Sequence, residues 1–185
     1  MGNVEVLKRG DLQMTSAGTG IRHSEYQHGS KPVHFLQIWS VPSKRALPPR
    51  YTTRHFTDEE KKDRWAHIVA PAGTPGVSND REAEGPAPVH SPLDLHATIL
   101  SPGARLSHVF PANPGPRKAY AHIIQRSGYN PKAAVGASIK FSSEGAEVVL
   151  REGDGAYIIG EAGKELTVEN VGDLGAEILL FDVDV

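Results

Sequence analysis

Cysteine is absent from the 185 residues, which excludes disulfides and any thiolate metal centre. Long apolar runs are absent too. Each is cut short by glycine, proline or a charge, so the sequence predicts neither a membrane span nor a signal peptide. Neither sign of charge is in excess: 20 Lys and Arg stand against 22 Asp and Glu, for a net charge of −2. With no basic patch, direct nucleic-acid binding is not expected. Met1-Gly2 would open an N-myristoylation signal, but position 6 is Val6 rather than serine or threonine. Sustained helical periodicity is scarce. All of these absences are compatible with a cytoplasmic protein.

What the chain does have is punctuation. Its 19 glycines and 14 prolines divide it into short apolar segments, which predicts many short strands joined by tight turns. A chain of this length makes one domain or two small ones, with enough apolar content to bury a core. Residues 3–7 and 12–15 read as short strands. Residues 33–41, Val-His-Phe-Leu-Gln-Ile-Trp-Ser-Val, form the clearest predicted strand, with apolar residues on both faces. Residues 42–54 are basic and rich in proline and read as an extended linker. The charge run from Asp58 to Asp63 reads as a solvated turn of helix or a loop, 65–70 as a strand, and 72–89 as a long surface loop. From His90 onward the predicted strands come at regular spacing: 93–100, 106–110, 119–125, 137–141, 146–150, 156–159, 165–168 and 177–182. That rhythm predicts a β-barrel or sandwich. Gly153-Asp154 repeats the turn chemistry of Gly10-Asp11 ahead of a similar strand, an echo that supports two related barrels, the first incomplete.

Candidate chemistry concentrates between Gly10 and Glu25. Gly18 and Gly20 provide the positive φ of a tight loop, and His23 and Glu25 follow two residues apart. In a strand, residues at that spacing share a face. An imidazole nitrogen and a carboxylate oxygen aimed at one point make half of a non-haem iron or similar divalent-metal site. Spacing alone does not separate this from an ordinary surface pair. His34 reads either as a third ligand or as a histidine packed beside aromatic neighbours.

The run Gly-Asp-x-Gln-x-Thr-x-Ala-Gly-x-Gly-Ile-x-His-Ser-Glu, residues 10–25, resembles a signature of the pirin family, bicupin proteins with quercetin-dioxygenase-like members. The resemblance implies an all-β fold of cupin (RmlC-like jelly-roll) β-barrels: a bicupin whose N-terminal barrel is here incomplete. Residues 1–56 would be the remnant of that barrel with its crossover linker, and 57–185 the C-terminal barrel. It also implies that His23 and Glu25 are two of four metal ligands, with Glu25 a catalytic general base as well. The other two ligands would come from an upstream His-Pro-His segment, yet none of the nine histidines lie two residues apart. The family strand matching 33–41 is structural, with Gln37 and Trp39 in place. Arg54-His55-Phe56 ends the crossover, so His55 would fall at a domain interface. In the second barrel, Gly103 to Phe110 carries only His108, with Phe110 where a second histidine is wanted, and Gly153 to Gly160 carries none. That barrel is therefore expected to hold no metal, with His122 filling a strand position.

Three functions follow from the resemblance. One is a binding or regulatory protein with a degenerate divalent-metal site. Another is a catalytically dead cupin kept for assembly. The third is a metal-dependent quercetin 2,3-dioxygenase-type oxidoreductase acting on flavonol-like small molecules. The missing ligands favour the first two. The expected cofactor is a divalent metal, iron first, bound weakly if at all. The expected partners are a second copy, in a homodimer formed through part of residues 1–41, and a protein partner. The family adds the nucleus as an alternative location.

Overall fold

The computed structural model describes residues 2–112, 116–126 and 135–183. Their regular secondary structure is nearly all β, as expected. The strands are β1 (Asp11–Ser16), β2 (Arg50–His55), β3 (Ala66–Pro71), β4 (Ala87–Val89), β5 (Leu93–Leu100) and β6 (Arg105–Val109). They continue with β7 (Pro116–Ile123), β8 (Ser138–Ser143), β9 (Ala146–Arg151), β10 (Gly155–Glu161), β11 (Glu165–Asn170) and β12 (Ala176–Val183). A single-turn helix, α1 (Asp58–Lys61), sits between β2 and β3. Thr57 starts it with a capping box: its hydroxyl accepts from the Glu60 amide while the Glu60 carboxylate accepts from the Thr57 amide.

Two sheets carry the cupin jelly roll. One has the order β10-β7-β12-β5-β3-β4, the other β6-β11-β8-β9. Strict alternation lets β12 serve two cores. Ala176, Ile178 and Leu180 point between the sheets, where they join Leu100, Phe110, Ile123, Ile139, Phe141 and Val168. Leu179, Phe181 and Val183 point outward to a second cluster that includes Val69, Val89, Leu93 and Leu95. The β1–β2 ribbon covers that outer face, with Leu12 and Met14 packed on the second cluster. The side chains at Gln13 and Thr15 therefore belong to the opposite face of the ribbon.

The sequence echo is a structural one. Gly10 and Gly153 hold φ of +87° and +85°. Asp11 then accepts from the Lys8 amide at 2.7 Å, and Asp154 from the Arg151 amide at 2.8 Å. The same aspartate-locked turn thus opens β1 and β10.

Four expectations are corrected. The predicted surface loop 72–89 ends in the buried strand β4, paired parallel to β3. Residues 3–7 are exposed and form no strand. Residues 33–41 form none either, with Phe35 61% and Trp39 86% exposed. A strand that is apolar on both faces needs a ladder partner and cover on two sides, and among the described residues nothing pairs with this segment. The predicted linker 42–54 ends in β2, paired with β1 from Asp11↔His55 to Ser16↔Arg50. The residues Tyr51, Thr52 and Thr53, aromatic and β-branched, suit a pleated surface better than a linker does. Next to them Arg54 is buried, and its guanidinium donates to the carbonyls of Thr53 and Ser78, pinning the long loop after β3.

Candidate metal half-site and a histidine row

His23 and Glu25 lie beyond the end of β1, in chain with no regular structure. The strand expected to align them is absent, yet His23 Nε2 and Glu25 Oε1 are 3.7 Å apart. Both side chains are almost half exposed. Gln13, on the ribbon face turned away from the core, donates from Nε2 to Glu25 Oε1 at 3.3 Å. The Glu25 charge also reaches Tyr51, whose phenol is pushed up first by burial and then by that carboxylate. Tyr51 in turn donates to Glu5 at 2.7 Å. The pair is thus seated on the polar face of the ribbon.

Two donors at this separation fit a shared ion at ordinary ligand distances of about 2.0–2.2 Å. A stable site takes three or four, and among the described residues no group of three His, Asp or Glu stands close enough to hold a metal ion. The residues present fit half of a metal site. His34 is not part of it: its charge is felt at His122, whose pKa is lowered first by burial and then by His34. His122 lies beside Tyr120 on the outer face of the six-stranded sheet. His55 is bound across the ribbon to Asp11, Nδ1 to Oδ1 at 2.6 Å.

His108 is not alone. Its ring centroid lies 5.2 Å from that of His96, and His96 is stacked on His67 at 4.6 Å, so β6, β5 and β3 line up three imidazoles between the sheets. The outer two are paired with carboxylates: His67 Nε2 with Asp94 Oδ1 at 2.7 Å, and His108 Nε2 with Asp182 Oδ2 at 3.1 Å. Arg117 donates to the other Asp182 oxygen at 2.8 Å. Burial alone would raise the Asp182 carboxyl, but the bonds from His108 and Arg117 outweigh it and hold the group below the usual range. His96 is pushed down to about 4, first by burial and then by the charges of His67 and His108. Sequence reasoning missed the row because its members come from three different strands at no regular spacing. The local signal was weak: His67 and His96 each sit inside a mostly apolar strand.

The protein-family model for pirin matches residues 1–40, the segment that carries the His23/Glu25 motif. Quercetin 2,3-dioxygenase of Escherichia coli strain K12 is 31% identical over 126 residues, which are 68% of this chain and 48% of that one. The crystal structure of YhhW from Escherichia coli superposes on all of this chain and 64% of its own, with a TM-score of 0.75 and 25% identity. The chain belongs to the pirin family of cupin proteins. A further crystal structure, bacterial pirin YhhW in complex with nickel(II), matches 98% of this pirin chain and 65% of its own with a TM-score of 0.70. The chain spans about half the length of the curated relatives it matches. Among its described residues, no helix is long and apolar enough to cross a membrane.

Proposed function

We propose that this pirin-family chain is a binding or regulatory protein carrying a weak divalent-metal half-site formed by His23 and Glu25, with iron as the expected ion. The observation that supports this reading is the donor set: one imidazole and one carboxylate 3.7 Å apart, with Gln13 bonded to the carboxylate and no third His, Asp or Glu grouped with them among the described residues. Ligand number and geometry set affinity, so two ligands hold an ion weakly. They also leave nothing to fix a substrate and O2 in register, which is where much of catalytic power arises.

A second reading is a metal-dependent quercetin 2,3-dioxygenase-type enzyme. It is favoured by the relative of that name and by the nickel(II) complex of the bacterial pirin. In that reading Glu25 is both ligand and general base. Oxygen uptake in the presence of quercetin separates the two. The half-site reading expects uptake at background with or without added iron. Uptake that requires quercetin, stops with a chelator and returns with iron establishes the enzyme instead.

A further inference from the structure

The histidine row lies apart from the His23/Glu25 pair, and the half-site reading does not use it. It stands at a vulnerable point of the fold. β3 lies between β4 and β5, and its ladder to β5 is already interrupted: His67 opposes His96, but the register then shifts before Val69 meets Leu95. The start of β3 pairs with β5 at Ala66↔Ala97 and His67↔His96 and is held by side chains as well. Trp65 Nε1 donates to the Ser107 carbonyl at 3.0 Å, and His67 bonds Asp94. Beyond the shift, Ile68 and Val69 belong to the outer cluster on which Leu12 and Met14 seat the β1–β2 ribbon. The ribbon packs on β4, and β4 pairs with β3 from Val69↔Ala87 to Pro71↔Val89, so what holds β3 down supports the ribbon through β4.

His96 is the odd member of the row. Among the described residues its ring has aromatic neighbours, Trp65, His67 and His108, and no hydrogen-bond partner. The charged groups that face it are His67 from β3, His108 from β6, Asp94 from its own strand and Asp182 from β12, the last also bonded to Arg117 of β7. Both carboxylates are already taken by the outer imidazoles and the guanidinium. A proton arriving on His96 finds two imidazoles in contact, and the nearby carboxylates already accept from His67, His108 and Arg117.

We propose that His67, His96 and His108 form an acid-operated latch: charging His96 breaks the β3–β5 pairing and releases the β1–β2 ribbon from the six-stranded sheet. The direction follows from linkage. The opened state takes up the proton near the ordinary imidazole pKa of about 6.5, the closed state only near 4, so closure is full above that window and is lost as pH falls through it. At about pH 5 the opening equilibrium shifts by about 30-fold for a group moved from 6.5 to about 4.

Amide hydrogen exchange on the whole chain, corrected for the intrinsic pH dependence of exchange, tests this. In wild type, Ile68, Val69 and Ala70 are expected to lose protection by about 20-fold between neutral pH and about pH 5, while the amides of β7 and β12 keep theirs. In His96→Gln that selective loss disappears, and in His28→Gln, an exposed histidine outside the row, it is retained. An unchanged acid response in His96→Gln overturns the latch, as does loss of protection in β3 and β12 together. If His96→Gln does not fold, the NMR titration of the wild-type His96 ring decides. A ring that stays neutral until β3 opens supports the proposal. A ring that titrates near 6.5 with β3 still protected overturns it.

Discussion

At the scale of single residues, the jelly roll is tied across its two sheets by Asp182. It is 2% exposed and accepts from His108 on one sheet and Arg117 on the other. Removing one member of a buried charged set is costly because the partners lose their compensation, by about 3–5 kcal/mol. Asp182→Ala should therefore destabilise by about 3 kcal/mol, read as a lowered urea midpoint with an unchanged slope. Its pH dependence has a definite sign. The folded-state pKa lies below the ordinary value, so the stabilisation is present above that value and is lost as pH falls through the folded pKa. That places it on the acid side of the His96 window. Little of this was legible in the sequence. His108 stood out because it occupies a cupin motif, but the spacing of residues 67, 96, 108 and 182 obeys no local period. Only the strand order β12-β5-β3, facing β6, brings them together.

At the scale of elements, the regular strands from β5 to β12 were legible because alternation and turn residues agree there. Residues 93–100 were predicted to the residue, and the others to within a few. Residues 33–41 show the opposite case. Their composition is that of a strand, but a strand exists only in a ladder, and the partner is not something a single segment can reveal. What results is Val33, Phe35, Trp39 and Val41 in the open, with Tyr157 and Ile159 exposed on the edge strand β10. We propose that a second copy covers this segment in a homodimer, since a self-complementary patch is most simply buried by twofold symmetry. Phe35→Ser with Trp39→Ser should convert a dimer mass in light scattering to a monomer mass. It should change the stability of the single chain by no more than about 0.5 kcal/mol, as expected for exposed positions. A monomer mass for the wild type would refute this assembly.

At the scale of the whole molecule, a two-sheet jelly roll carries a two-stranded ribbon on the outer face of its larger sheet. The ribbon carries His23 and Glu25 on its polar side. The motif was legible as residue types and as an His-x-Glu spacing. Its geometry was not, since the two side chains meet without the strand that was to align them, and Gln13 rather than a ladder orients the carboxylate. The central claim is that this pair is half of a metal site, and the direct test is the metal content of the purified chain by elemental analysis, without added metal. The account predicts divalent metal well below one equivalent per chain, with little change in His23→Ala. A full equivalent of iron or nickel that disappears in His23→Ala would contradict it, because a complete set of ligands would then have to converge on His23.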